Sequence, residues 1–265
     1  MNEAIFLKLG GSLLTEKTKP EVIRAVVLAR VAEEIATTLR DNIEIRLILG
    51  HGSGSFGHMA AAKYGTRQGV NGPEQWAGFS EVSDAAARLN RWVVGALLEA
   101  EVPAVSIQPS ASAVCTNGKL DYMATEPLMM ALLAGLVPVV YGDVAFDTVQ
   151  GGTIISTEEV LGYLVHKLRP SRLLLAGDTP GVLDANGRVI PRITPATLPD
   201  VLPALGGSRG TDVTGGMITK VEGMLNLVTD LPELIVHIFS GLEPGVLAAV
   251  LADPSVEIGT RLAKS

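Results

Sequence analysis

Cysteine is nearly missing: Cys115 is the only one in 265 residues. One thiol excludes an intrachain disulfide framework and a cysteine metal centre, and a reducing cytoplasm is expected. A basic surplus is missing too. Lys and Arg number 21 against 28 Asp and Glu, for a net charge of −7. That excludes the electrostatic footprint of a nucleic-acid binder, so no nucleic-acid partner is expected. An anionic ligand would have to be met by local donors. Long apolar runs are also lacking. The longest, "PLMMALLAGLVPVVYG", is broken by Gly135 and Pro138, too short for a bilayer span. The opening "MNEAIFLKLGG" has no basic leader and meets a lysine at position 8, so a signal peptide is not expected. No low-complexity linker and no 20–50-residue repeat divides the chain, and one domain over 1–265 is expected.

What is present is apolar residue, 47% of the chain, and glycine, 29 residues. That glycine content exceeds the usual ~7% and has no collagen-like period, which points to turns and close backbone approaches. Short apolar runs at 4–10, 43–50, 102–109, 136–143, 172–178 and 233–241 read as strands. Helical patterns at 20–40, 76–100, 125–135, 157–168 and 213–230 lie between them. In the 20–40 segment Val22, Val26, Ala29, Val31 and Ile35 recur near helical spacing. Near-continuous apolar strands alternating with helices predict an α/β fold, an open αβα sandwich on a mainly parallel sheet. Asn117-Gly118 and Asn186-Gly187 between extended residues carry the signature of tight hairpins, and "FDTVQGGTII" suggests a third.

Three glycine turns carry chemistry: "KLGGSLLTEK" from Lys8, "GHGSGSFGH" from Gly50, and "DVTGGMITK" from Asp212, with Asp212 or Thr214 as N-cap. The first two follow strands and the third opens a helix. Glycine there lets backbone N–H groups reach an anion, which a helix N-terminus also favours. Lys8 sits inside an apolar strand, where an unpaired ammonium is costly. Lys17 and Lys220 each follow a glycine pair. Three lysines beside three glycine turns make a candidate polyphosphate site, although the spacing is neither a Walker A loop nor G-x-G-x-x-G. Of the two histidines in the second turn, His51 at the strand end reads as structural and His58 as able to reach an acceptor. Trp76, Phe79, Val82 and Ala86 form a helical stripe that fits either core or an apolar pocket. "PLMMALL" and Trp92 read as packing.

"KLGGS", "HGSGSFGH", "YGD" (141–143), "DVTGGM..K" and "GTRL" (259–262) run in this order along nearly the whole chain. Together they resemble the amino acid kinase superfamily and, within it, the branch acting on a small isoprenoid monophosphate. The resemblance implies direct in-line transfer of a phosphoryl group from ATP, usually in a homodimer. The N-terminal half would hold the acceptor and the C-terminal half ATP. Lys8, Gly10, Gly11 and Ser12 would hold the transferring phosphate, with Lys17 as a second lysine of the site. Gly54, Asp178, Gly216 and Lys220 would lie on the nucleotide side. Gly52, Ser53, His58 and Gly142, with Phe79 and Val82 at the tail, would lie on the acceptor side. Lys8, Lys17 and His58 would be the catalytic set. Mg²⁺ would ride on ATP. Two segments depart from the pattern: "GDTPG" (177–181), with Pro180 where a second aspartate is usual, and "STE" (156–158) in place of "SGD". The second leaves open which acid organises the lysines. Two other readings stand at this level: a related kinase such as fosfomycin kinase, whose acceptor is a phosphonate, and a non-catalytic nucleotide-binding protein on the same fold. The retained lysines speak against the latter.

Overall fold

The computed structural model describes residues 4–205 and 216–265, and of residues 58, 59, 204 and 205 the backbone alone. The N-terminal part runs β1 (Ala4–Leu9), α1 (Gly11–Leu14), α2 (Ala25–Asp41), β2 (Arg46–His51), α3 (Gly54–Tyr64), α4 (Pro73–Glu99) and β3 (Ala104–Ser106). Then come β4 (Val114–Thr116), β5 (Lys119–Tyr122), α5 (Glu126–Leu133), β6 (Val137–Tyr141), β7 (Asp143–Asp147) and β8 (Gly151–Ile155). The remainder is α6 (Thr157–Leu168), β9 (Arg172–Gly177), β10 (Arg192–Ile193), α7 (Leu198–Leu205), α8 (Gly216–Asp230), β11 (Ile235–Ser240), α9 (Val246–Ala252) and β12 (Thr260–Leu262).

Eight strands form one sheet in the order β10-β12-β11-β9-β1-β2-β6-β3. Every pairing in it is parallel except β11 with β12. The period-2 alternation of β1 divides the core. Ile5, Leu7 and Leu9 join residues of α2, α4 and α9 on one face, whereas Phe6 joins residues of α5, α6 and α8 on the other. By the same alternation Lys8 lies on the Phe6 face. The open αβα sandwich is therefore as the sequence predicts. No helix among the described residues is long and apolar enough to cross a membrane.

Three sequence expectations need correction. The apolar stripe of α2 is offset from the predicted one: Leu28, Val31, Ala32, Ile35 and Ala36 are buried, while Val26 is 85% exposed. The helix starts only at Ala25, because the preceding segment is extended and bridges Thr15 to Ile23. The "PLMMALL" and Trp92 segments are not packing throughout. Leu128 and Ala131 are buried, but Met130 is 69%, Leu133 87% and Trp92 61% exposed, because α5 and α4 each turn only one face to the sheet. The hairpins do not all form the same way. The Asn117-Gly118 turn joins β4 and β5, with φ of 52° and 77° as a type I′ turn requires. At Asn186-Gly187 only the isolated bridge Leu183–Val189 forms, and Gly187 alone has positive φ. A second sheet of order β5-β4-β7-β8 gathers the first hairpin with the "FDTVQGGTII" hairpin. Asp147 joins their turns by accepting N–H bonds from Asn117, Gly118, Val149 and Gln150 at 2.7–3.1 Å.

Candidate active site

The first two glycine turns sit at the carboxyl ends of the adjacent parallel strands β1 and β2, where ligands of open α/β sheets bind. Register keeps those ends level: Leu9 pairs with His51 and with Ala176, and His51 with Tyr141. The turns after β1 and β2 lie directly on each other. A Cβ on Gly11 would stand 2.5 Å from the Gly54 nitrogen, and one on Gly52 would stand 2.8 Å from the Gly11 nitrogen. Gly54 also has φ +51°, in the left-handed region. Loop-on-loop contact thus requires glycine at these positions before any phosphate is considered.

His51 anchors the second turn from beneath. It is fully buried and stacks on Tyr141 with ring centroids 5.3 Å apart. Its Nδ1 lies 3.1 Å from the Gly52 carbonyl and its Nε2 3.1 Å from the Asn90 amide nitrogen. One neutral tautomer satisfies both, with Nδ1–H donating and Nε2 accepting. Burial pushes its pKa down from 6.5 to about 4, and the charge of Lys8 adds to this. Its own carbonyl accepts from Thr157 Oγ1 at 2.6 Å and Gly142 N at 3.3 Å, so the ends of β2 and β6 and the start of α6 meet there. The structural reading of His51 fits these contacts. A consequence follows for stability. The unfolded histidine takes up a proton near 6.5 and the folded one only near 4, so stability is full above 6.5 and lost as pH falls toward 4. The loss is about 3 kcal/mol from this group alone. Urea unfolding at pH 7 and 4.5 should display it, and His51→Gln should flatten the slope. Equal slopes for both proteins would remove His51 as the cause.

Two carboxylates organise the cations. Glu158, in the first turn of α6, forms an ion pair with Lys8. α6 presents it there because Ser156 and Glu159 close a capping box that fixes the start of the helix. Burial alone would raise the Glu158 pKa. The charges of Lys8 and then Lys220 outweigh it and hold the group down at about 2. Asp178, just past β9, is 3.0 Å from Lys17 Nζ. Burial again acts upward, while hydrogen bonds from Lys17 and Ser12 bring its pKa below the usual carboxylate range. Glu158 therefore accepts from Lys8 and feels the charge of Lys220, and Asp178 accepts from Lys17 and Ser12. The sequence flagged Asp178 but only the position of Glu158. Its one signal was the "STEE" segment.

Of the other predicted residues, Gly10 donates its N–H to the Ala176 carbonyl at 2.8 Å, tying the first turn to β9. Gly142 fits against Thr157, whose Oγ1 would lie 3.2 Å from a Cβ there. Ser53 is the N-cap residue of α3, and His58 lies on that helix with its side chain outside the described residues. Gly216, with φ +70°, begins α8, which carries Lys220. The proposed caps Asp212 and Thr214 lie outside the described residues. Phe79 and Val82 are buried with Val70 and Val144 in a small apolar cluster separate from both main cores, and Ala60, Ala61 and Ile154 pack against it. Phe79 also borders an open cavity of about 410 Å³ that Ser83, Val144 and Phe146 line as well.

Residues 3–240 match the model of the amino acid kinase family. The chain is 40% identical over 225 residues to an isopentenyl phosphate kinase of Methanocaldococcus jannaschii, covering 82% of this chain and 84% of that one. It is 39% identical over 250 residues to the isopentenyl phosphate kinase of Haloferax volcanii, covering 92% and 97% respectively. A solved isopentenyl phosphate kinase superposes with a TM-score of 0.82 at 29% identity, covering 98% of this chain and 100% of that one. With its first two glycine turns level at the carboxyl ends of β1 and β2, and with the family model matched over residues 3–240, the chain belongs to the amino acid kinase family.

Proposed function

We propose that this chain transfers the γ-phosphoryl group of ATP to isopentenyl phosphate, forming isopentenyl diphosphate. The observation that carries the acceptor is the small apolar cluster. His58 and Gly142, two of the expected acceptor contacts, are each followed within three residues by residues of this cluster: Ala60 and Ala61 on α3, which pack against it, and Val144 on β7, a member. A ligand with an anionic head and a short apolar tail matches that succession. The relatives named above are kinases of isopentenyl phosphate.

The acceptor's phosphate has a second pKa near ~6, so at neutral pH it is mostly the dianion and needs no strong base. What the protein supplies is position and charge. Lys8 stands between donor and acceptor, Lys17 and Lys220 neutralise the β- and γ-phosphates, and His58 donates to the acceptor phosphate. The attacking phosphate oxygen forms the new bond to the γ-phosphorus as the bond to the ADP oxygen breaks, and ADP leaves with that electron pair. Mg²⁺ would be carried on the triphosphate, since both acids of the site are already paired with lysines. No group of three or more His, Cys, Asp or Glu fit to hold a metal lies among the described residues.

A homodimer in the cytoplasm completes the reading. In its support, exposed Trp92, Met130 and Leu133 lie on α4 and α5, which border the β3–β6 edge of the sheet.

The test is transfer from ATP to isopentenyl phosphate, geranyl phosphate and a phosphonate such as fosfomycin. The five-carbon phosphate should have the highest kcat/KM. A phosphonate preference, or no turnover with any of the three, would overturn the proposal. The same panel tests Phe79. Its ring lies 5.2 Å from Trp76 and 5.3 Å from Phe146, between the cluster and the open cavity. Phe79→Ala should extend the open cavity into the cluster and raise the ratio of geranyl to isopentenyl kcat/KM. It should also lower stability by about 3–5 kcal/mol. A lower Tm with an unchanged ratio would make Phe79 a core residue only.

A further inference from the structure

The two glycine turns that would hold donor and acceptor phosphates share one buried side chain, Thr15. It is wholly shielded from solvent, just after α1. Its Oγ1 donates to the Gly11 carbonyl at 2.9 Å and accepts from the Ser55 N–H at 3.0 Å. Its backbone N–H reaches the same Gly11 carbonyl at 2.9 Å. The fit is close: a Cβ on Gly54 would stand 2.3 Å from Thr15 Oγ1. One hydroxyl therefore joins the first turn, through Gly11, to the first turn of α3, through Ser55. It also satisfies an amide that the helix itself leaves without a partner.

We propose that Thr15 is a positioning residue for phosphoryl transfer, its hydroxyl setting the separation of the two phosphate-holding turns. This rests on the functional reading above. Each phosphate binds mainly to its own turn, so a loosened pair of turns still binds both ligands. What it loses is the alignment of the attacking oxygen with the γ-phosphorus. An error of about 1 Å in such alignment costs around 10²-fold in rate. Thr15 is wholly buried and its one O–H is given to Gly11, so it would act through the turns rather than on a ligand.

Thr15→Val keeps the shape and removes the hydroxyl, while Thr15→Ser keeps the hydroxyl and removes the methyl. Single-turnover transfer to isopentenyl phosphate at saturating ATP should slow about 10- to 100-fold in T15V, with both KM values little changed. T15S should stay within about threefold of the parent, because both hydrogen bonds survive. Amide hydrogen exchange supplies a readout independent of activity: Ser55 should be protected in the parent and T15S and should exchange faster in T15V. Parent-like transfer in T15V, T15S as slow as T15V, or unchanged Ser55 protection in T15V would each overturn the proposal. Should T15V fail to fold, Thr15→Ala takes its place with the same expected split. A parent protein that does not phosphorylate isopentenyl phosphate would instead overturn the functional reading, and the Ser55 exchange comparison would still decide whether the hydroxyl joins the turns.

Discussion

Lys8→Ala should lower kcat by about 10³-fold, the upper end for removing one donor aimed at a developing charge. The ion pair with Glu158 holds Lys8 on the α6 face of the sheet, at the end of β1 where the first glycine turn begins. On the proposed reading, a charge at that point would act on the group in flight more than on either bound ligand. The loss should therefore appear in kcat and equally in kcat/KM, with the KM for ATP little changed. The substitution also strips Glu158 of its nearest counter-charge, so burial should carry its pKa upward from about 2. Steady-state kinetics with saturating acceptor decide the matter. A kcat within a few-fold of the parent would remove Lys8 from the transfer step.

Glu158 carries the second large effect. Glu158→Gln preserves the size of the side chain and removes its charge. Lys8 and Lys220 then lose the counter-ion they share, and like charges pushed together move apart. Misplacement on the scale of 1 Å costs about 10²-fold in rate, and that is the expected fall in kcat. Glu158→Asp keeps the charge on a shorter stem and should lose less, about tenfold, by the same positional argument. The order parent, Asp, Gln is the informative result. Gln equal to the parent would mean the lysines hold their places unaided, and Asp as poor as Gln would mean reach matters more than charge. Glu158 titrates near 2, so neither variant should move the pH–rate profile between 5 and 8. A fall in rate there is expected from the acceptor phosphate, whose second pKa is near ~6.

Much of the fold was readable because it depends on residues close together in the chain. The strands β1, β2, β6, β9 and β11 were all anticipated from apolar runs, and the Asn117-Gly118 hairpin from two residues. Helix α6 falls on the expected 157–168, its start marked by the capping box. Boundaries and faces were less secure. The α2 stripe was misplaced because alanine and valine occur on both sides of that helix, and burial there is chosen by α4 and α9 rather than by α2 alone. An apolar Trp92 and Met130 suggest packing, but their exposure depends on which helix face meets the sheet.

The sequence by itself determined the α/β alternation, two glycine turns at strand ends and a third opening a helix, and the presence of three lysines beside them. Periodicity and turn chemistry act over a few residues, and those are fixed by covalent order. Tertiary structure alone decided what the lysines meet. Lys8 and Glu158 are 150 positions apart, and their pairing requires Lys8 to fall on the Phe6 side of β1 with α6 packed on that same side. Thr15 and Ser55, 40 apart, meet only because β1 and β2 are adjacent and in register. An acid buried beside a cation is stable only where the partner already stands, because an unpaired charge there would not be tolerated. That condition concerns the packed sheet and its two helical layers, and no window of the sequence contains it.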